Sequence, residues 1–156
     1  MAYFVKWKEN IMIRVLIQVE GGSSERRFYD ERTLEYKETR QGHQPFPYPY
    51  GFIPGTRAAD GDSVDCYIIT REKLLAGSVV ECEPMGLMEQ DEDGEADHKV
   101  LAVLPGQHVE LDQELLEELK KFIYGAFAKY PDVRIKVGNI LPREEALRYI
   151  RESRED

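Results

Sequence analysis

A proline-rich aromatic segment, residues 45–54, constrains the fold of this 156-residue chain more than any other stretch. Each of its prolines pushes the preceding residue into extended geometry, so the segment cannot be a helix. Three carboxylates follow within six residues, those of Asp60, Asp62 and Asp65. They overlap an apolar run, residues 64–69, that is typical of a buried strand. The sequence therefore predicts an acidic cluster where a loop enters a strand, on the rim of a buried sheet.

Short strand-like runs separated by turn residues make up most of the chain. In residues 11–20, apolar side chains such as Ile13, Val15 and Ile17 occupy every second position, which is the period of a strand. Many short strands of this kind predict a small closed barrel or sandwich. The predicted strands are residues 2–8, 11–20, 25–29, 33–38, 64–70, 78–87, 98–104 and 133–137.

Two helices are predicted in the last third of the chain. Asp112 is an N-cap residue for a helix over residues 113–128, whose apolar residues recur at helical spacing. Pro142 opens a shorter final helix, which ends near Arg151. The charged residues 152–156 are expected to fray. The predicted fold class is therefore α+β, mainly β, with a single domain over residues 1–156.

The charge balance disfavours some partners. Acidic residues outnumber basic ones by 30 to 21, and the formal net charge is −9. Nucleic acids and anionic membranes are bound through clustered Lys and Arg, so neither is an expected partner. Cys66 and Cys82 lie in strand-like runs without a CxxC motif, which is typical of buried thiols in a reducing compartment. No stretch approaches membrane-spanning length, and a cytoplasmic location is expected.

The first acidic cluster has two interpretations. It can be a solvated Asp-Gly turn, because Asp and Gly are ordinary turn formers. It can also be a cation site, because a divalent cation removes the repulsion between crowded carboxylates. Ligand sets made of carboxylates suit Mg²⁺ better than zinc.

A second acidic turn, residues 89–97, also has two interpretations. Asp91 and Asp97 flank it, and Lys99 shares a strand face with Asp97 because side chains alternate along a strand. Asp97 and Lys99 can form a plain salt bridge, or they can be a metal ligand beside a phosphate-binding cation. Two acidic loops on one rim of a small barrel suit metal-assisted phosphoryl hydrolysis.

Several stretches closely resemble one family, the soluble family I inorganic pyrophosphatases. The resemblance is carried by Tyr50-Gly51-Phe52-Ile53-Pro54 and Asp60-Gly61-Asp62-Ser63-Val64-Asp65, then by Gly77–Val80, Pro84–Gly86 and residues 91–99. It implies a five-stranded OB-like barrel with a long helix and a short final helix packed alongside. It also implies Mg²⁺-dependent hydrolysis of inorganic pyrophosphate to two orthophosphates, by direct attack of a metal-activated water. Several Mg²⁺ ions are implied, with Mn²⁺ as a substitute, in a homo-oligomer that is a hexamer in prokaryotic relatives.

The resemblance assigns roles to nine residues. The implied metal ligands are Asp60, Asp65, Asp91 and Asp97. Asp62 is the implied general base, and Tyr50 tunes the attacking water. The implied phosphate-binding residues are Lys99, Tyr130 and Arg27.

The chain departs from the family pattern around the leaving phosphate. Gln18 stands where the family has an active-site Glu, and a Lys-x-Glu pair falls on Arg27 and Tyr29 or on a neighbouring register. Phe46 replaces a phosphate-facing Tyr, and Pro131 replaces a Lys.

An active-site Arg has two candidate counterparts, Lys37 and Arg40. The departures leave alternatives to pyrophosphate hydrolysis: weak activity, another phosphoanhydride substrate, or a non-catalytic role in binding metal or phosphate.

Overall fold

The computed structural model describes residues 5–7 and 10–155. In chain order the strands are β1 (Val5–Trp7), β2 (Asn10–Val19), β3 (Glu25–Tyr29), β4 (Tyr36–Gln41), β5 (Tyr50–Phe52), β6 (Asp65–Ile68), β7 (Val79–Glu92), β8 (Glu95–Ala96), β9 (Lys99–Val103) and β10 (Ile135–Pro142). The helices are α1 (Gln113–Phe127) and α2 (Arg143–Glu152). Neither helix is long and apolar enough to cross a membrane, and this holds for all the described residues.

Five strands form a closed ring. Its order is β2-β5-β6-β9-β7, and β7 pairs back with β2. Within the ring, β6 and β9 run parallel and the other pairs run antiparallel. The strands β1, β8 and β10 extend the ring, while β3 and β4 form a separate hairpin. The predicted α+β fold with a five-stranded barrel is confirmed.

Two apolar clusters hold the helices against the strands. The first joins buried side chains of β2, β6 and β9, including Ile17, Cys66 and Val100, to Ile150 of α2. The second lies beneath α1 and joins Leu119 to side chains of β5, β7 and β9. As predicted, Asp112 caps α1, and its Oδ1 accepts a hydrogen bond from the Leu115 amide at 3.0 Å. The burial of these side chains supplies most of the energy that packs the helices on the barrel.

The strand β5 was not expected, because it lies inside the segment interpreted as a proline-rich loop. Its three residues lie between Pro49 and Pro54, and β5 runs between β2 and β6. Gly51 lies so close to β2 that a Cβ atom there would be 1.8 Å from the Leu16 carbonyl oxygen. The ring therefore closes only because this position lacks a side chain.

Several other predicted boundaries differ from the structure, and residues 2–4 and 8 of the first predicted strand lie outside the described residues. Strand β10 runs over Ile135–Pro142 instead of residues 133–137. Strand β7 continues to Glu92, five residues beyond the predicted end, because it pairs with both β8 and β10 at that end. Strand β4 begins at Tyr36 instead of residue 33. Pro142 ends β10 and is the N-cap of α2, so it does not lie within the first helical turn.

Residues 152–155 are not frayed, which corrects the prediction for the tail. Ser153 is buried, and its carbonyl oxygen accepts a hydrogen bond from the Arg57 amide at 2.6 Å. The Glu155 amide donates to the Gly55 carbonyl oxygen at 2.9 Å. These bonds tie the end of α2 to the loop that leads into the first acidic cluster.

Candidate active site

A pocket of about 490 Å³ lies beside the barrel, where four parts of the chain meet. One wall is acidic and comes from the 60–65 loop and from the ends of β7 and β9. The rest of the lining comes mainly from the β3–β4 hairpin and from α1. The pocket therefore joins elements that are far apart in the sequence.

Lys99 lies at the base of the acidic wall. Its ammonium nitrogen is 2.7 Å from Asp65 Oδ2, 3.0 Å from Asp97 Oδ2 and 3.3 Å from the Tyr50 hydroxyl. The parallel register of β6 and β9 places Asp65 directly beside Lys99. An ammonium group has three N–H donors, so these contacts use all of them.

Burial and charge compete in this cluster. Burial alone lowers the pKa of Lys99, but the Asp65 carboxylate and its neighbours raise it well above the ordinary value. Lys99 is therefore a permanent cation. Burial raises the pKa of Asp97 to about 7, and the nearby Lys99 ammonium only partly opposes this. Asp97 thus lacks the solvation that a carboxylate normally has.

The acidic loop is held by local hydrogen bonds that turn Asp62 toward the pocket. Asp60 Oδ1 accepts a hydrogen bond from the Asp62 amide at 3.0 Å, and Gly61 takes a positive φ of 90° in the turn. Glu31, at the tip of the β3–β4 hairpin, accepts from the Ser63 amide at 2.8 Å. Burial, followed by the charges of Asp60 and Glu31, raises the pKa of Asp62. A carboxylate in that environment is a better proton acceptor than an ordinary Asp.

Tyr50 also lines the pocket. Its ring packs against Phe46 and Tyr67, with centroid distances of 5.2 and 4.8 Å. Burial raises the pKa of Tyr50 well above its ordinary value. The phenol therefore keeps its proton and can donate it in a hydrogen bond to a ligand.

The hairpin presents Arg26 to the pocket, whereas Arg27, a predicted phosphate-binding residue, does not line it. Side chains alternate along β3, so Arg26 and Phe28 face the pocket while Arg27 and Tyr29 face away. Arg27 Nη1 donates to the Ala76 carbonyl oxygen at 3.4 Å, outside the pocket. The neighbouring register, which the sequence left open, is the observed one.

Arg40 lines the pocket, whereas Lys37 does not. The guanidinium carbons of Arg26 and Arg40 lie 4.9 and 4.7 Å from the Phe28 ring centroid. Arg40 also forms an ion pair with the exposed Glu38 at 2.8 Å. The hairpin therefore brings two cations into contact with one aromatic ring at the pocket.

Asp91, a predicted metal ligand, is not among the residues that line the pocket. On β7 the pocket is lined by Gln90 and Glu92, and the side chain between them lies on the other face of the strand. Glu92 thus adds the carboxylate that Asp91 was expected to supply. Gln90 is 4% exposed, and its Oε1 has no hydrogen-bond partner.

The remaining sequence-predicted positions divide between the pocket and the core. Tyr130 and Phe46 line the pocket, and Tyr130 is 56% exposed. Gln18 is buried outside the pocket, where its Nε2 donates to the Arg27 carbonyl oxygen at 3.3 Å. Pro131 follows Tyr130 in the turn after α1 and does not line the pocket.

Five carboxylates give the acidic wall the chemistry of a site for hard cations. They belong to Asp60, Asp62, Asp65, Glu92 and Asp97. Within the described part of the chain, no three acidic, His or Cys side chains converge as a ready-made metal cluster. Instead, the Lys99 ammonium lies between Asp65 and Asp97 and neutralises the charge of these two carboxylates. The donor set fits Mg²⁺, because all of its ligands are oxygens.

Unpaired polar atoms also indicate a ligand. Among the described residues, two buried side-chain atoms lack a hydrogen-bond partner, Arg26 Nε and Gln90 Oε1, and both residues line this pocket. An unsatisfied buried polar group is costly, and a bound ligand or water can satisfy it. One atom is a donor and the other an acceptor.

Sequence reasoning missed Glu92 and Gln90 as pocket residues, and it left the choice between Arg27 and its neighbour Arg26 open. Each is one residue from a position that was chosen or left open, because strand alternation gives the spacing of a face but not which face is buried. The assignment of Asp91 came from the resemblance of residues 91–99 to the family.

Comparisons with known proteins agree on one family. The sequence model described as "Pyrophosphatase: Inorganic pyrophosphatase" matches residues 15–156. The chain is 31% identical over 155 residues to an inorganic pyrophosphatase of Nanoarchaeum equitans, covering 92% of this chain and 96% of that protein. It is 31% identical over 153 residues to one of Gluconobacter oxydans, covering 90% and 88%.

Solved structures give the same result. The inorganic pyrophosphatase of Thermus thermophilus superposes with a TM-score of 0.83 at 28% identity, covering 98% of this chain and 94% of that one. The inorganic pyrophosphatase of Neisseria gonorrhoeae superposes with a TM-score of 0.82 at 25% identity, covering 91% and 88%.

Proposed function

The chain belongs to the inorganic pyrophosphatase family, and on this premise we propose that its pocket hydrolyses inorganic pyrophosphate to two orthophosphates with Mg²⁺. One observation carries the proposal: a single pocket is lined both by five carboxylates and by two guanidinium groups. Carboxylates suit the metal and guanidinium groups suit phosphate, so the two sets of groups match a metal–pyrophosphate complex.

Asp60, Asp65, Glu92 and Asp97 are the proposed metal ligands. When bound, Mg²⁺ neutralises phosphate charge and lowers the pKa of a water molecule, and Mn²⁺ can replace it. Lys99 keeps Asp65 and Asp97 together in the metal-free protein, with contacts of 2.7 and 3.0 Å. If Asp65 and Asp97 held Mg²⁺, N–H donors of Lys99 that now contact these carboxylates would be available for a phosphate oxygen.

Asp62 is the proposed general base. It lines the pocket, and burial raises its pKa. It accepts the proton of the attacking water, and general-base assistance of this kind contributes a factor of about 10² to 10⁴ in rate. Tyr50, held as a neutral phenol, donates a hydrogen bond that orients the water.

Arg26, Arg40 and Tyr130 are the proposed phosphate contacts on the hairpin side. The unpartnered Nε of Arg26 is a donor that a phosphate oxygen can satisfy. Arg40 contacts the Phe28 ring and lines the same pocket. These groups stabilise the charge that develops on the leaving phosphate.

Phosphorus NMR tests the proposal directly. Purified protein with Mg²⁺ is expected to convert the pyrophosphate signal into orthophosphate, and EDTA is expected to stop the conversion. In ¹⁸O-labelled water, direct attack places one label in one of the two product phosphates. An unchanged pyrophosphate signal with Mg²⁺ and with Mn²⁺ would contradict the proposal.

A second substrate class is favoured by the aromatic part of the pocket wall. Phe28, Phe46, Phe122 and Phe127 also line the pocket, and inorganic pyrophosphate has no apolar group to contact them. A phosphoanhydride with an organic group, such as a nucleoside diphosphate, can stack there. Phosphate release from ADP at a rate comparable to that from pyrophosphate would support this candidate, and release from pyrophosphate alone would dismiss it.

We also propose a homo-oligomer, with a hexamer as the first form to test, in the cytoplasm. Leu75 and Val79 are 61% and 50% exposed within one short segment, and association of copies would cover such apolar side chains. Light scattering after gel filtration measures the mass directly. A monomeric mass at micromolar concentration would contradict the assembly.

A further inference from the structure

The Gln90 side chain is a buried acceptor that the proposed chemistry leaves unused. It is 4% exposed, and its Oε1 has no partner although it belongs to the acidic wall. Its main chain is fixed on both sides: the amide donates to His98 Nδ1 at 3.0 Å, and the carbonyl oxygen accepts from the Asp97 amide at 2.8 Å. The side chain therefore starts from a fixed point on β7.

Among the residues that the structure describes, no donor supplies the missing hydrogen bond. Lys99 uses its three N–H groups on Asp65, Asp97 and Tyr50. Arg26 Nε is itself unpartnered, so it does not reach the Gln90 oxygen. Deprotonated phosphate oxygens and carboxylates are acceptors and cannot satisfy another acceptor. The donor must enter the pocket from outside.

We propose that Gln90 is a positioning residue for the bound cation, whose Oε1 accepts a hydrogen bond from a water molecule that the cation carries. The inference rests on the proposed function, because it requires the acidic wall to bind Mg²⁺. Mg²⁺ gives up its waters reluctantly and usually keeps several of them when bound to protein, and those waters are donors. Outer partners of this kind orient the ligands of a metal and strengthen its binding.

A neutral amide suits this position better than a carboxylate in the metal-free protein. Glu92 lies two residues along the same face, and Asp97 is bonded to the Gln90 main chain. A sixth carboxylate here would add like-charge repulsion in a buried environment. The amide oxygen provides an acceptor without that repulsion.

Calorimetric titration with Mg²⁺, without substrate, tests the inference. Gln90→Leu keeps a side chain of similar size and removes the acceptor. It is expected to weaken Mg²⁺ binding about 10- to 100-fold. Gln90→Glu restores an acceptor and is expected to bind Mg²⁺ at least as tightly as the wild type. Gln113→Leu, on the exposed start of α1, is the matched control and is expected to bind as the wild type does.

Metal-free melting separates a positioning role from a structural one. Because Gln90→Leu removes an unsatisfied acceptor, its melting temperature in EDTA is expected to equal or exceed that of the wild type. Equal Mg²⁺ affinity in Gln90→Leu and wild type would overturn this inference but leave the proposed function standing. A melting temperature in EDTA lower for Gln90→Leu than for the wild type would also overturn the inference. So would a Gln90→Glu variant that binds Mg²⁺ as weakly as Gln90→Leu. Absence of Mg²⁺ binding in the wild type would instead overturn the proposed function, and this inference with it.

Discussion

At the scale of single residues, the face of β3 decides which arginine acts on substrate. Arg26 faces the pocket with an unpartnered Nε, whereas Arg27 bonds the Ala76 carbonyl oxygen outside it. Arg26→Met is therefore expected to lower kcat/KM for pyrophosphate by about 10- to 100-fold, the loss expected when one charged hydrogen bond is removed. Arg27→Met is the matched control, with a change of less than about 3-fold expected. Steady-state kinetics in which Arg27→Met is the impaired variant would contradict the observed register.

A second neighbouring pair tests the acidic wall in the same way. Glu92 lines the pocket, and Asp91 lies on the opposite face of β7. Glu92→Gln removes a proposed ligand, and it is expected to weaken Mg²⁺ binding by at least about 10-fold in calorimetry. Asp91→Asn removes the same charge one residue away, and it is expected to change Mg²⁺ affinity by less than about 3-fold. The reverse order would restore Asp91 as the ligand.

At the scale of elements, closure of the barrel depends on Gly51 in β5. A Cβ atom at this position would overlap the main chain of β2, at 1.8 Å from the Leu16 carbonyl oxygen. Gly51→Ala is expected to destabilise the protein by about 3 kcal/mol or more, because backbone atoms cannot move aside as a side chain can. Gly125→Ala is the control, since its nearest neighbour is the flexible Gln44 side chain at 3.3 Å. Urea unfolding measures both, and equal stability of the two variants would contradict the close approach.

The sequence predicted the helices better than the small strands. Asp112 and the apolar stripe identified α1, because a cap and a period of 3.6 are both local signals. β5 was missed because its three residues lie between prolines, and only pairing with β2 and β6 makes them a strand.

In the candidate site, too, local features were predicted from the sequence and features that depend on tertiary packing were not. Asp60, Asp62, Asp65, Asp97 and Lys99 were predicted, since their spacing on one loop and one strand is visible in the sequence. The choice between Arg26 and Arg27 depended on which face of β3 covers the pocket, and that is fixed by tertiary packing.

At the scale of the whole molecule, the buried carboxylates make stability depend on pH. Burial raises the pKa of Asp97 from 3.8 to about 7, so between about pH 4 and pH 7 the folded protein holds a proton that the unfolded chain has lost. The contribution of Asp97 to the stability of the metal-free protein therefore falls as pH rises through this range.

Asp97→Asn removes that contribution, because an amide does not titrate there. Melting in EDTA at pH 5 and pH 7.5 is expected to show a smaller loss of melting temperature for Asp97→Asn than for the wild type. Asp132→Asn, at an exposed position outside the pocket, serves as the control and should behave as the wild type does. Identical pH dependence in Asp97→Asn and the wild type would contradict the pKa shift.

The most direct test of the pocket as a pyrophosphatase site is phosphate release from pyrophosphate, with and without Mg²⁺, by the wild type and by Asp62→Asn. The wild type is expected to release phosphate only with Mg²⁺. Asp62→Asn is expected to be at least about 100-fold slower, because it lacks the general base, while it still binds Mg²⁺. A fully active Asp62→Asn protein would contradict the assigned base, and no release by the wild type would contradict the site.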